Sequence, residues 1–319
     1  MIALASPASL KGVLTPGEAS AALATGLGRI DGVDAEELPV ADGGEGSALV
    51  LEQSLGGDWH EAVVADPLGR PVEATWLVLP DGTAIVECAQ AAGLTRLAPH
   101  ELDPVRASSR GVGELVLAAL ARGPSALLVC VGGTATVDGG IGMRAVVGNA
   151  LDAVSVRVAC DVRNPLLGER GAARVFGPQK GASPDVVAEL EARLESLAEL
   201  VPFRHLAGAG AGGGLGAAFA ALGGTLVPGA DLVLDLIGFN ARAARASLVV
   251  TGEGTVDATT FDGKAPGAVQ RRCRALAVRC ELFGGVVRDG IDAHALSGRI
   301  ESAAADLERL GEELAAGLA

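Results

Sequence analysis

Glycine-rich loops that carry carboxylates or hydroxyls recur along the sequence, and the first is ADGGEGS at residues 41–47. It places Asp42 and Glu45 among flexible glycines, just after the short apolar run ELPV. Two carboxylates this close together could hold Mg²⁺ or accept a hydrogen bond from a sugar-like hydroxyl of a substrate. A capped surface turn is the alternative interpretation of this segment.

A second loop, GGTATVDGGIGM, follows an apolar strand predicted over residues 126–131. Gly132, Gly133 and Thr134 would leave backbone N–H groups directed at one place, which makes a cradle for an anion. A tight chain reversal is the simpler interpretation. Two glycine pairs around Asp138 are nevertheless more than a turn requires.

The third segment, GAGAGGGLG at residues 208–216, offers backbone contacts to a nucleotide. Glycines lack a side chain and leave the backbone accessible to a ligand, and the candidate positions are Gly208, Gly210, Gly212, Gly213 and Gly214. Three of these glycines also match the dinucleotide pattern GxGxxG, with Asp231 at about the expected distance. That match is weak, because the preceding VPFRHLA contains Pro202 and Arg204 and is a poor strand.

The fourth segment, TGEGTVDATTFDGKAPG, begins at the predicted end of a buried strand. Its candidate binding positions are Thr251, Gly252, Glu253 and Gly254, followed by Asp257 and Lys264. These residues supply a metal ligand or base and a phosphate cation within one loop. Ala258 and Ala265 stand where a Walker A motif needs Gly and a hydroxyl residue, so a P-loop kinase is excluded.

A fifth pair of segments, CDVRNPLLGE and FGPQKGA, contributes Asp161 as an acid at a strand end and Lys180 as a second cation. Around these loops, apolar strands alternate with helical stretches, a pattern typical of an α/β sheet that is parallel in its core. Thr15 to Glu18 form a capping box that opens a helix, and residues 59–88 show a β-rich pattern that predicts an antiparallel meander. The change of pattern indicates a domain boundary near residue 65.

Composition excludes several classes of protein. The net charge of -14 would repel a nucleic-acid backbone, and no run of about 18 apolar residues predicts a membrane span. The five cysteines are an odd number without a CxxC pair, which favours reduced thiols in a cytoplasmic protein. None of the four histidines falls in the candidate loops, which argues against a zinc site.

Taken in order, these segments resemble the bacterial glycerate kinase family, of the glycerate 2-kinase type, from about residue 1 to 290. The resemblance implies phosphorylation of the small molecule D-glycerate by ATP with Mg²⁺, and the 2-phospho isomer as product. It also implies a Rossmann-like domain (residues 1–64 and about 229–319) with a second α/β domain (65–228) inserted into it. The active site would lie in the cleft between them, and a homodimer stays open.

Site roles follow from the chemistry and the resemblance together. The residues expected to act in catalysis are Lys11, Asp161, Lys180, Asp257 and Lys264. Those expected to bind substrate are Ser9, Asp42, Glu45, Asp138, Arg163 and Asn164, and the expected magnesium ligands are Glu253 and Asp257. Which aspartate is the base is not decided by the sequence.

Departures from the family pattern leave alternatives open. Ala8 replaces an expected acid in PASLKG, Val137 replaces an amide, and Thr259 replaces a glutamine. The chain also looks shorter than relatives between Met143 and Cys160 and at its C-terminal end. A kinase for a related hydroxy acid and a non-catalytic glycerate or nucleotide sensor are therefore competing hypotheses. An NAD-dependent dehydrogenase, which rests on the weak GxGxxG match, is a further one.

Overall fold

The computed structural model describes residues 1–318 and divides into two compact units. The first unit holds residues 1–42, 49–54 and the chain from residue 230 onward, and the second unit holds residues 43–48 and 55–229. The sequence analysis places a domain boundary near residue 65 instead. The strand that ends at residue 65 pairs along its whole length with the next strand of the second unit, which fixes it there.

Helices and strands alternate through most of the chain. The first half contains β1 (Ile2–Ala5), α1 (Pro16–Leu27), β2 (Asp34–Glu37), α2 (Ser47–Leu55), β3 (Asp58–Ala65), β4 (Pro71–Val78), β5 (Thr83–Glu87), α3 (Ala89–Ala92), α4 (Arg110–Leu120), β6 (Ala126–Cys130) and α5 (Ile141–Val147). The second half contains β7 (Ser155–Ala159), α6 (Ala172–Phe176), α7 (Pro184–Glu195), α8 (Leu215–Ala221), β8 (Thr225–Val227), α9 (Gly229–Leu236), α10 (Phe239–Ala243), β9 (Leu248–Val256), α11 (Ala265–Leu276), β10 (Cys280–Val287), β11 (His294–Ala295) and α12 (Ala303–Ala316).

The first unit is built on a five-stranded parallel sheet in the order β11-β10-β9-β1-β2. Helices α1 and α12 pack together and bury Leu23, Leu307 and Leu310 in one apolar cluster with Phe283 of the sheet. The predicted capping box opens α1, because the Thr15 hydroxyl accepts the Glu18 N–H and Glu18 accepts the Thr15 N–H. The expectation of a parallel-sheet α/β domain is confirmed.

The second unit contains a six-stranded sheet in the order β3-β4-β5-β6-β7-β8. Its first three strands form the predicted antiparallel meander, and β5 to β8 are parallel. The apolar side chains of β5 and β6 pack with Leu115 of α4 and Phe219 of α8 in the main core. Because β5 to β8 are parallel, the segments that follow these strands all emerge at the same edge of the sheet.

Strand β9 is longer than the sequence indicates. The sequence predicts a strand that ends at Thr251, but residues 252–254 also lie inside it, and Phe283 of β10 pairs with Gly252. A Cβ added at Gly252 would lie 2.6 Å from the Phe283 ring, so a glycine is required at this point of the strand. The segment TGEG is therefore part of the sheet rather than a loop.

Two features of the helices bear on the expectations from the sequence. The C-terminal helix α12 begins at Ala303 rather than near Arg299, because a 3-10 turn occupies Ile300–Ser302. None of the helices within residues 1–318 combines the length and apolar character needed to cross a bilayer.

Candidate functional site

The topology of the first unit singles out one place for a ligand. Strand β2 pairs with one edge of β1, and β9, which comes much later in the chain, pairs with the other edge. The order of the strands therefore reverses between β1 and β9. Ligands of open α/β sheets bind at such a reversal of strand order, outside the carboxyl ends of the strands. The crevice between β1 and β9 is therefore the expected site, and the segments PASLKG and TGEG meet there.

Backbone contacts fix those two segments against each other. The Ala8 N–H donates to the Gly252 carbonyl at 2.9 Å, and the Thr251 hydroxyl donates to the Ser6 carbonyl at 2.7 Å. A Cβ added at Gly254 would lie 3.4 Å from the backbone nitrogen of Lys11. Ser9 and the exposed Lys11 thus follow β1 at the strand-order reversal, and their contacts with substrate and phosphate stay predictions.

Glu253 and Lys264 form an ion pair in the same unit. The Lys264 ammonium lies 3.2 Å from each carboxylate oxygen of Glu253, and the Thr260 hydroxyl donates to Glu253 Oε1 at 2.7 Å. Lys264 directly precedes the twelve-residue helix α11, which has a proline in its first turn. A lysine at the positive end of a helix favours an anion such as a phosphate.

Asp257 lies on the surface at the end of β9. Its Oδ1 accepts hydrogen bonds from both the hydroxyl and the backbone N–H of Thr259, at 2.5 and 2.9 Å. The Thr259 hydroxyl bond is the main cause that lowers the pKa of the Asp257 carboxyl, and the positive charge of Lys264 lowers it further. Asp257 is therefore a stable anion, which suits a metal ligand better than a general base.

Several of the other sequence-predicted loops come together in the second unit. The segments after β6 and β7 leave the same sheet edge, and the glycine-rich run packs on both. A Cβ added at Gly213 would lie 1.8 Å from the Thr136 carbonyl oxygen, and one at Gly214 would lie 2.6 Å from Gly139 Cα. These glycines, both with positive φ, allow the close packing of two backbones.

The glycine-rich run does not have the dinucleotide-binding arrangement. Ala198–Phe203 before it form a 3-10 turn instead of a strand. Gly208 and Gly210 pack on the segment after β7, where added Cβ atoms would lie 2.5 Å from Cys160 Sγ and 2.4 Å from the Pro165 carbonyl oxygen. The structural context that the NAD-dependent hypothesis needs is therefore missing from this segment.

Asp138 is the centre of a hydrogen-bond network at the start of α4 and α5. Its Oδ2 accepts the Ser109 N–H at 2.9 Å and the Ser109 hydroxyl at 2.8 Å, and its Oδ1 accepts the Gly140 N–H at 3.0 Å. These bonds give Asp138 a structural role in shaping the 132–140 loop. A direct contact with substrate stays a prediction.

Lys180 lies in the interior rather than on the surface. Only 3% of the residue is exposed, and its amine donates to the Thr136 carbonyl at 2.8 Å. Burial lowers the pKa of the Lys180 amine to about 7, against a smaller opposing effect of the Asp138 charge. The side chain therefore fastens its own segment to the 132–140 loop, and a phosphate contact by Lys180 stays a prediction.

The remaining predicted residues follow β7. Asp161 is half-buried just beyond the strand, Arg163 is exposed, and the Asn164 amide donates to the Arg170 carbonyl at 2.7 Å. The first unit thus holds Ser9, Lys11, Asp42, Thr251–Gly254, Asp257 and Lys264. The second unit holds Glu45, Gly132–Thr134, Asp138, Asp161, Arg163, Asn164, Lys180 and the glycines of 208–214.

Two residues were missed by the sequence analysis. Glu87 ends the buried strand β5 and is 4% exposed, and Ser109 is buried beside Asp138. A lone carboxylate closing the apolar run TAIV was the available signal for Glu87. Ser109 gave no such signal, because the bond to Asp138 joins residues that are far apart in sequence.

The carboxylates fit a metal that arrives with a nucleotide. No cluster of three or more His, Cys, Asp or Glu suited to a metal ion occurs among residues 1–318. Mg²⁺ in phosphoryl-transfer enzymes is usually held by one or two carboxylates together with phosphate oxygens. The partly exposed Asp257 could meet that requirement, whereas both oxygens of Glu253 are already close to Lys264.

Comparison with known proteins gives a consistent result. A model described as "Glycerate kinase family" matches residues 3–152 and 146–312. A glycerate kinase of Bacillus subtilis (strain 168) is 36% identical, with 98% of this chain and 96% of that protein covered. A glycerate 2-kinase of Escherichia coli (strain K12) is 37% identical, with coverage of 82% and 78%.

A solved structure agrees with these relatives. The crystal structure of a protein assigned as glycerate kinase 2 of Salmonella typhimurium LT2 superposes with a TM-score of 0.86 at 32% identity. It covers 100% of this chain, which in turn covers 98% of that structure. The two matched segments of the family model meet at 146–152, within the stretch where the sequence analysis places a shortening.

Proposed function

Because this chain belongs to the glycerate kinase family, we propose that it transfers the γ-phosphoryl group of ATP to a hydroxyl of D-glycerate. We propose 2-phosphoglycerate as the product, by analogy with the relative named glycerate 2-kinase. The observation that carries the proposal is the placement of Lys264. It lies at the start of α11, in the unit whose strand order reverses between β1 and β9.

Phosphoryl transfer depends mainly on positioning and on charge around the phosphates. Lys264 and the first turn of α11 would bind phosphate oxygens, because Lys264 carries a positive charge and the free N–H groups of a helix start attract anions. Glu253 holds the Lys264 ammonium in place through both carboxylate oxygens. Lys11 and Ser9, beside the β1–β9 crevice, would bind a second anionic group or a substrate hydroxyl.

The metal is proposed to enter with ATP. Mg²⁺, when bound, would neutralise charge on the phosphate oxygens that the transfer brings together. Asp257 is the residue proposed to hold it, because the Thr259 hydrogen bonds keep this carboxylate ionised and oriented. Of the two aspartates considered for the base, we therefore assign that role to Asp161.

The test is turnover by the purified protein. We expect ADP formation with Mg-ATP and D-glycerate, loss of turnover when the metal is chelated, and a 2-phospho product by phosphorus NMR. Absence of ADP formation across a panel of small hydroxy acids would refute the kinase activity. A thermal-shift panel with Mg-ATP, NAD and glycerate then separates the hypotheses, because each ligand stabilises only a protein that binds it.

Ala8 motivates one alternative. It follows β1 and hydrogen-bonds through its backbone to Gly252, so its side-chain position lies at the strand-order reversal. An alanine there cannot bind a hydroxyl or a metal-bound water. A kinase for a different hydroxy acid, or a sensor without turnover, is therefore the competing function.

A further inference from the structure

Glu87 is a buried carboxylate at the end of β5 that the proposed reaction does not use. Its Oε1 accepts the Ala48 N–H at 2.7 Å. The Gly46 N–H and the Gln90 side chain also interact with this carboxylate and favour its charged form. Gly46 and Ala48 flank the first residue of α2, directly after the glycines of ADGGEGS. Glu87 therefore caps this helix start from a different element of the second unit.

Burial of the Glu87 carboxylate is expected to lower the stability of the folded protein. No ion pair to Glu87 exists within residues 1–318, burial raises the pKa of its carboxyl, and the nearby charge of Glu45 adds to the effect. A buried carboxylate that lacks a cationic partner is usually less favourable than an apolar side chain of similar size. The cost suggests that the position of the segment it holds matters.

The segment held by Glu87 is the 43–48 loop, and its neighbours leave little room for movement. A Cβ added at Gly132 would lie 2.9 Å from Gly44 Cα, and one at Gly133 would lie 3.6 Å from a Glu45 carboxylate oxygen. The Glu45 side chain therefore lies beside Gly133, at the beginning of the 132–140 loop. Both loops carry residues expected to bind ligand.

We propose that Glu87 is a positioning residue that fixes the 43–48 loop, and with it the Glu45 carboxylate, for binding of the hydroxy-acid substrate. This inference rests on the proposed function. A displacement of about 1 Å in a binding group can reduce activity about 100-fold. Because Glu45 is proposed to contact the substrate, loss of the Glu87 bonds is expected to act mainly on substrate binding.

The test uses Glu87→Leu and Glu87→Gln in the full chain. Leucine removes every acceptor, and we expect KM for D-glycerate to rise at least about 10-fold with a smaller change in kcat. Glutamine keeps one acceptor oxygen, but its NH₂ group faces a backbone N–H donor. We therefore expect KM for D-glycerate to rise less in Glu87→Gln than in Glu87→Leu. Asp306→Asn is the matched control, because Asp306 is also 4% exposed and its hydrogen bonds join it to Ser297 and Arg309, neither of which is a proposed site residue.

A double-mutant cycle separates positioning from general damage. If Glu87 acts through Glu45, Glu87→Leu should change KM much less in a Glu45→Ala background than in the wild type. Equal effects in both backgrounds, or an unchanged KM in Glu87→Leu and Glu87→Gln, would overturn the inference. If Glu87→Leu fails to fold, the same cycle run with Glu87→Gln decides.

Amide hydrogen exchange keeps this inference distinct from the proposed function. Exchange at Gly46 and Ala48 should accelerate in Glu87→Leu whatever the enzyme phosphorylates. A wild type without glycerate turnover refutes the proposed function. Faster loop exchange with unchanged kinetics in an active enzyme refutes the positioning role.

Discussion

The buried amine of Lys180 should make the stability of the second unit depend on pH, and Lys180→Met should remove that dependence. The pKa of the amine is about 7 in the folded protein, against an ordinary value of 10.5. Between these values the unfolded chain binds the proton and the folded chain does not. The free energy of unfolding therefore rises with pH across this window and stays constant above it.

The size of the effect follows from the shift. Each pKa unit corresponds to about 1.4 kcal/mol, so titration from pH 7 to pH 9 should stabilise the wild type by about 2 kcal/mol through Lys180. Methionine is similarly long and unbranched but carries no proton, and it leaves the Thr136 carbonyl without its donor. That loss costs about 1–3 kcal/mol at every pH, so the gap between the two proteins should widen toward pH 9.

The assay is urea unfolding of both proteins at pH 7 and pH 9, followed by tryptophan fluorescence. Both tryptophans, Trp59 and Trp76, lie in strands of the second unit, so the signal reports the unit that contains Lys180. Other titrating groups are common to both proteins and cancel in the difference. Parallel pH profiles for wild type and Lys180→Met would refute the burial of a neutral amine.

Further predictions concern the proposed reaction. Lys264→Ala should lower kcat at least about tenfold with little change in thermal stability, and an unchanged kcat/KM in steady-state assays would remove Lys264 from the site. Asp257→Asn should keep the fold but raise the Mg²⁺ concentration needed for half-maximal turnover, which a metal titration measures against Asp262→Asn as the control. Ala8→Asp should raise kcat/KM for D-glycerate if the rest of the site suits that substrate; a loss on a better hydroxy acid would indicate changed specificity, and inactivity of both forms would indicate a sensor. Lys180→Arg should destabilise the second unit more than Lys180→Met does in urea unfolding, because a buried guanidinium cannot lose its charge.

Local signals in the sequence predicted most of the elements. The capping box at Thr15, the N-cap at Ser183 and the β-rich run of residues 59–88 each specify their structure through neighbouring residues. The extension of β9 through TGEG could not be predicted in this way. Glycines disfavour strands when considered alone, and the strand continues only because β10 pairs with it and Phe283 covers Gly252.

The candidate site divides in the same manner. The sequence identified Glu253 and Lys264, but only the fold shows that the two are paired and placed at a helix start. Lys180 lies in a glycine-flanked segment that looked like an exposed loop. Its burial depends on the Thr136 carbonyl, which belongs to a loop more than forty residues earlier, so no local pattern predicts it.

The use of lysine connects these observations. Lysine occupies only three of the 25 basic positions in the chain, and all three, Lys11, Lys180 and Lys264, lie in the candidate segments. Arginine serves every other cationic position, including the surface ion pairs to Glu36, Glu101 and Glu308. Lysine differs from arginine in being a compact point charge that can lose its proton when it is buried. Lys180 uses the second property, since burial lowers the pKa of its amine to about 7. Lys264 uses the first, since one ammonium lies equally close to both oxygens of Glu253 at the start of α11. Loss of the proton at Lys180 is chemistry that arginine cannot supply, because a buried guanidinium keeps its charge. The concentration of all three lysines in the candidate segments supports the proposal that these segments form the working part of the enzyme.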